Sequence, residues 1–289
     1  FDNGKINIDM KSYVGKQLSD LYKKYSDVKV NTDMIKRIPS KDIAALFAMN
    51  VKPEGIKEFI TTLGLDGLVN LSIAKLGLTL DDCVKALKGD FIMAVSDIKK
   101  DSLGSPEVNA IFSASVADKG SFNKLTELIN NLKKQNTDAE KYFYYTLNND
   151  YFTAGNKETV DKYMSGGSNN NYSFLDKASG SSFIFYVNLQ TVMNAMKPAN
   201  NKDSLDMASY DLAAKTWENI LMTGGGFKDG GTNMHAEINF MDKNTNSLKQ
   251  LNSFMGSWKK IDDEKRLARD KWMNDVMAAD SIAMTIPTK

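Results

Sequence analysis

The sequence predicts an α+β fold built as two tandem copies of an antiparallel sheet packed with helices, preceded by the tail of a further unit. Three observations carry this. An apolar strand-like run that ends in Asn and leads into a helix occurs twice, at 43–51 and 183–189, with Asn50 and Asn188 138 residues apart. A strand running into Asp-Lys and then a helix also occurs twice, at Asp118-Lys119 and Asp242-Lys243, 124 residues apart. Finally, the connections between 90–96 and 110–116, and across Asp229-Gly230-Gly231, are too short for parallel crossovers. Repeats of about 130 residues are domain-sized, which points to a duplicated fold and not a solenoid.

Residues 1–30 are read as the tail. Asn3-Gly4 is a hairpin-turn signal before the alternation from Lys5 to Met10, and Val14, Leu18, Leu21, Tyr22 and Tyr25 then share a helical face. The missing strand before that turn implies that the natural protein continues N-terminally. The stretch parallels Tyr151-Phe152-Thr153-Ala154 and the helix over 157–164, entered through Asn148-Asn149-Asp150.

The first copy spans 31–168. After the strand at 43–49, Pro53 opens a helix with Ile56, Phe59, Ile60 and Leu63 inward and Gly64 closing it. A helix over 79–88 places Leu80, Cys83, Val84 and Leu87 inward. Strands at 90–96 and 110–116, a helix over 121–134 and a hairpin of 142–147 with 151–154 complete the copy. The Gly- and Asn-rich stretch 165–171 is the linker candidate.

The second copy, 169–289, follows in the same order. It has a strand at 182–188, helices over 190–197 and 204–221, strands at 222–228 and 232–240, and a helix over 247–258. There Leu248, Leu251, Phe254 and Met255 match Phe122, Leu125, Leu128 and Ile129 at a spacing of 126. A charged helix over 259–279 and a strand at 281–286 replace the hairpin of the first copy.

Composition excludes several classes of function. A net charge of +1 from 37 basic and 36 acidic residues supplies no field to attract nucleic acid. The cations are nearly all Lys, with Arg only at 37, 266 and 269, and Arg is the residue of bidentate phosphate and base-edge recognition. No apolar run reaches the roughly 20 residues that span a bilayer. A lone Cys83 excludes an intramolecular disulfide and a multi-cysteine metal site.

Candidate chemistry is sparse, and no catalytic residue, metal ligand or cofactor is assigned. His235, the one histidine, shares a strand face with Glu237 and Asn239, a pattern for which a solvated face is the simpler account. Cys83 reads as a buried thiol, and Asp81-Asp82 as helix-start acids that complement the dipole. Gly224-Gly225-Gly226 lacks the strand–glycine–helix context of dinucleotide binding and reads as strand or bulge glycines.

The aromatics are the functional hint. Tyr142, Tyr144, Tyr145 and Tyr151 concentrate rings on one hairpin, where exposed tyrosines bind sugars or peptides and packed ones pair across strands. Trp217, Trp258 and Trp272 offer a second aromatic set on the helices, and Met273, Met277 and Met284 an interaction patch.

The segments Arg37-Ile38-Pro39-Ser40-Lys41-Asp42, Ala86-Leu87-Lys88-Gly89-Asp90-Phe91, Asp118-Lys119-Gly120-Ser121-Phe122 and Tyr151-Phe152-Thr153-Ala154-Gly155-Asn156 each enter or end a predicted element. In their order the chain resembles an uncharacterised lipoprotein family of Bacteroides and its relatives, a domain of unknown function. The resemblance covers most of 1–260. It implies an exported, lipid-anchored protein of the cell envelope, periplasmic or on the outer-membrane surface, with the anchor outside this stretch. It carries over no catalytic residue. The expectation is a non-enzymatic binding or scaffold protein, with a glycan, a peptide or a cell-envelope protein as partner. A groove at the junction of the copies or on the Tyr142 hairpin is the expected site. The alternatives are a glycan-acting hydrolase, which needs two carboxylates in one cleft, and a purely structural subunit.

Overall fold

The computed structural model describes residues 1–100, 106–135, 144–197 and 204–283. The chain is α+β, with strands in a single open antiparallel sheet. Its first half runs β1 (Lys5–Tyr13), α1 (Lys16–Tyr25), α2 (Thr32–Lys36), β2 (Ile43–Asn50), α3 (Pro53–Thr62), α4 (Asp66–Ala74), α5 (Leu80–Ala86), β3 (Leu87–Lys100), β4 (Pro106–Val116) and α6 (Lys119–Gln135). Then follow β5 (Tyr144–Leu147), β6 (Tyr151–Gly155), α7 (Lys157–Met164), α8 (Leu175–Ala178), β7 (Phe183–Asn188), α9 (Leu189–Met196), α10 (Ser204–Thr216), β8 (Trp217–Lys228), β9 (Gly231–Phe240) and α11 (Ser247–Ala283).

The strand order is β1-β9-β8-β7-β2-β3-β4-β6-β5. At its middle β2 and β7 pair antiparallel, with Phe47 opposite Phe185. Phe47 and Phe185 form the middle pair of the five, flanked by Leu46 opposite Tyr186 and Ala48 opposite Ile184. Outward from that pair the order is β3-β4-β6-β5 on one side and β8-β9-β1 on the other. β1, read as the tail of a preceding unit, thus lies beside β9 as β6 lies beside β4.

Two rows show how the sheet uses its faces. Ile111, Ala94, Leu46, Tyr186 and Leu221 lie in register across β4, β3, β2, β7 and β8. Their neighbours one residue along, Phe112, Met93, Phe47, Phe185 and Met222, form the matching row on the opposite face. Both rows are apolar, the pattern of a sheet meant to be covered on both sides.

The chain forms two compact units, and β1, β8 and β9 contribute residues to both. The larger holds 7–195 and 219–238. Its main core seats Leu46, Ala48, Ile92, Ala94, Ile111, Ile184 and Leu221 against residues of and around α2, α7 and α8, among them Met34, Ile35, Ile38, Tyr163, Tyr172 and Phe174. Tyr186 and Phe174 stack at 4.3 Å. On the other face α5 and α6 cover the far strands, with Ala86 and Phe122 packed on Ala114, Phe152 and Ala154. α5 starts at a capping box between Thr79 and Asp82.

Buried polar groups here are tied in pairs. Asp90 accepts from Asn50 Nδ2 at 2.7 Å, from the Asn31 amide at 3.1 Å and from Ser115 Oγ at 3.3 Å. The 165–171 stretch, expected as a linker, is fastened: the Asn170 amide donates to Lys36 O, and its Nδ2 donates to the carbonyls of Ile38 and Ser40. Tyr172 Oη donates to Ser40 O at 2.5 Å.

The smaller unit, 1–6, 196–218 and 239–289, is organised around α10 and α11. Trp217 packs on Phe240 at 4.8 Å and on Phe254 at 5.0 Å, and Phe254 stacks on Trp258 at 5.9 Å. Lys265 of α11 pairs with Asp206 of α10 at 2.8 Å. From Arg266 to Met277 every residue of α11 is exposed.

Several expected boundaries move. β8 begins at Trp217, where a helix to 221 is expected, because Trp217 and Leu221 point to packed faces and Asn219 pairs with Asn188. α11 is one helix through the expected break at 258, and residues 281–283 are helical where a strand is expected. Leu248 and Met255, matched to buried positions of α6, are exposed. The last helix carries 37 residues. Helices α2, α4 and α8 carry no strong periodicity and are not anticipated; Asn31 caps α2.

Two predictions follow from this packing. Gly89 has φ +118°, and a Cβ there would sit 2.1 Å from Val51 O, where Val51 and Gly89 pair by main chain. Gly89→Ala is expected to cost about 2–3 kcal/mol in urea denaturation. Burial pushes the Tyr172 phenol up to about 12, and burial raises Tyr163 in the same direction. The folded protein then holds protons that the unfolded chain releases near pH ~10, so this part of the stability is intact below pH ~10 and is lost as pH rises toward ~12. Tyr172→Phe is expected to be less stable at pH 7, having lost the bond to Ser40, and to show a shallower alkaline fall in denaturation midpoints.

Candidate functional site

An apolar concavity lies within the larger unit, at the strand ends where β2, β7, β8 and β9 meet α1 and α3. It has a volume of about 390 Å³, inside the range of small-molecule sites. α1 supplies Leu21, Tyr22 and Tyr25, and α3 supplies Gly55, Ile56 and Phe59. Ser26, Val28, Asn50–Lys52, Ser182, Gly225, Thr232 and Met234 complete the lining. The three segments delimited in the sequence, 1–30, 31–168 and 169–289, all contribute.

Local chemistry explains the shape. Pro53 at the first turn of α3 starts the helix directly after β2, which swings Ile56 and Phe59 over the strand ends. Gly55 lets α3 approach α1, since a Cβ there would lie 2.8 Å from the Tyr25 ring. The two helices are also latched by Glu58, which accepts from Tyr25 Oη at 2.7 Å and pairs with Lys24 at 2.6 Å. The Lys24 ammonium, then the Tyr25 hydroxyl, hold the Glu58 carboxyl below the usual carboxylate range. At the strand ends, Gly225 takes φ +96° against Ser182, where any Cβ would collide with the hydroxyl at 1.7 Å. The glycine run Gly224–Gly226 is therefore a strand feature, as expected.

The cleft was partly visible in the sequence. Ile56, Phe59, Ile60 and Leu63 read as one inward face, yet Ile56 and Leu63 are exposed and Ile56 and Phe59 line the cleft. An apolar helix face with no sheet row left to cover was the available signal.

The tyrosines expected to form a platform do not converge on a surface. Tyr142 lies outside the described residues. Tyr144 has the Lys157 ammonium 4.9 Å from its ring centroid. Tyr145 lies on the other face of β5, packed on Phe152 at 5.4 Å and donating to Asn130 Oδ1 at 2.7 Å. Tyr151 meets the Tyr163 ring edge-on at 6.2 Å, with the Arg37 guanidinium 5.0 Å from its centroid. Alternation along β5 and β6 sends Tyr145 to one face and Tyr144 and Tyr151 to the other, where Lys157 and Tyr163 of α7 meet them separately.

The polar candidates are tied up as structure. His235 Nδ1 lies 2.7 Å from Asp9 Oδ1. Glu237, expected on a solvated face, is buried and paired with Lys177 next to α8. Cys83 is half-buried, its thiol pushed up by burial and then by Asp82. Asp82 bonds Lys124 and Thr79, which lower its carboxyl to about 2, and Asp81 pairs with Lys57. Asp90 and Asp150 border one small cavity of about 60 Å³, far too small for a sugar ring. Among the described residues no group of three or more His, Cys, Asp or Glu could hold a metal ion, and no helix is long and apolar enough to cross a membrane.

If the tyrosines serve packing, their truncation should be read in stability. Tyr151→Ala is expected to lower the unfolding free energy by about 2–4 kcal/mol and Tyr144→Ala by under ~1 kcal/mol, measured by chemical denaturation. No protein-family model, curated protein or solved structure matches this chain.

Proposed function

We propose that this chain is a non-enzymatic binding protein of the cell envelope, held there by a lipid anchor outside this stretch, and that the α1–α3 cleft takes an apolar ligand. One observation carries the reading: the cleft is walled by Leu21, Tyr22, Ile56, Phe59 and Met234, while Asp90, Glu237 and His235 are engaged in structural pairs elsewhere. Apolar walls with a few polar groups at one end (here Asn50, Ser182 and Lys52) favour an acyl chain or ring system over a glycan, which needs hydrogen-bonding partners around its hydroxyls. The hydrolase alternative needs paired carboxylates in a roomy cleft, and the shared cavity of Asp90 and Asp150 does not supply one.

The test is a thermal-shift and native mass-spectrometry screen with medium-chain fatty acids and anilinonaphthalene sulfonate against oligosaccharides and muropeptides. An apolar probe at about 100 times its Kd is expected to stabilise the protein by roughly 2.7 kcal/mol. Ile56→Arg, at an exposed rim position, is expected to abolish the shift while leaving the melting temperature of the free protein in place. Binding of oligosaccharides alone, or apolar binding indifferent to Ile56→Arg, would overturn the assignment.

A further inference from the structure

The apolar cleft has one cation in its wall and no counter-charge for it. Among the described residues that line it, Lys52 alone carries a charge, and no carboxylate contributes. Lys52 is half-buried directly before α3, and among the described residues no acid pairs with it. Lysines close to it differ. Lys57 of α3 holds Asp81 at 2.6 Å, and Lys24 of α1 holds Glu58 at 2.6 Å. Glu54, two residues beyond Lys52, is exposed and lies outside the lining. A cation set in an apolar wall without a partner is a position that an anionic ligand completes.

The other two polar groups at that end are already engaged. Asn50 Nδ2 donates to Asp90 at 2.7 Å, and Ser182 Oγ donates to the Gly224 carbonyl at 3.1 Å. Of the three, the Lys52 ammonium is the one left for a ligand, on a flexible stem that lets it close over a head group. The dipole of α3 adds positive charge at the same end, where no side chain caps the helix. No arginine lines the cleft. A lone ammonium suits a singly charged carboxylate, whereas a phosphate favours the bidentate fork of arginine.

Along α3 the cation is followed by apolar side chains on the same face. Lys52, Ile56 and Phe59 are spaced i, i+4 and i+7, and all three line the cleft over about 10 Å of helix. Leu21 and Tyr22 of α1 and Met234 of β9 wall the same space. A charged point at one end of an apolar trough is the complement of a single-chain amphiphile.

Given the apolar site proposed at the α1–α3 cleft, we infer that its ligand is an anionic amphiphile, a medium-length acyl chain whose carboxylate pairs with Lys52 while its tail lies along Ile56 and Phe59. Lys52 selects the head and the apolar wall selects the chain, so the two contributions separate in experiment.

The test is isothermal titration calorimetry on the full chain at about pH 8, where a carboxylic acid is ionised, with decanoate, decanol and octanoate below their micellar concentrations. Decanoate is expected to bind about tenfold tighter than decanol, the scale of one charge-assisted hydrogen bond. Octanoate is expected to bind about fifteenfold weaker than decanoate, for two methylenes lost. Lys52→Met keeps the apolar stem and is expected to bring decanoate down to the affinity of decanol, while Lys52→Arg keeps the preference. Unchanged melting temperatures of the free variants check that both fold. Equal binding of decanoate and decanol by the unmodified chain, or a preference that survives Lys52→Met, would overturn this inference alone. No binding of any of the three, or binding indifferent to chain length, would overturn the cleft as an apolar site and the inference with it.

Discussion

The β2–β7 pair at the middle of the sheet is the constraint on which the other elements depend. With Phe47 opposite Phe185, the backbone hydrogen bonds of this pair set the register of β3 on one side and β8 on the other. Since side chains alternate strictly along a strand, a slip of one residue there would exchange the two faces of every strand in register. Leu46 and Tyr186 would leave the main core, and Phe47 and Phe185 would enter it.

Around that pair, polar groups do positional work. Asp90 draws Asn50, Asn31 and Ser115 together at the end of β2, and Asn170 and Tyr172 fasten the return loop to residues 36–40. Buried donors and acceptors that already hold partners are costly to disturb, and they leave little free chemistry. The titratable side chains follow the same rule. Glu58 latches α1 to α3, Asp82 caps α5, and Glu237 is closed off by Lys177.

The cleft draws on apolar residues gathered at the strand ends from α1, α3 and β9. At the strand ends, α1 and α3 wall an open apolar cleft of about 390 Å³.

The sequence by itself determined the class and the order of the elements. The period-two runs at 43–50 and 183–188, the short connections and the Pro53 helix start are local signals, set by propensity and turn chemistry, and they are present in the structure. Where periodicity is weak, in α2, α4 and α8, the sequence was silent, because tertiary packing and not amphipathicity holds such short helices. Only the tertiary structure decided where the aromatics go. Tyr144, Tyr145 and Tyr151 are neighbours in sequence, but pleat alternation and the helices above each face draw them into separate packing sites. It also decided that the strands join one sheet, that β1 lies beside β9, and that the cleft gathers residues from 21 to 234. Those are pairings between distant segments, and a linear pattern of apolar and polar residues specifies a face without naming the partner it will meet.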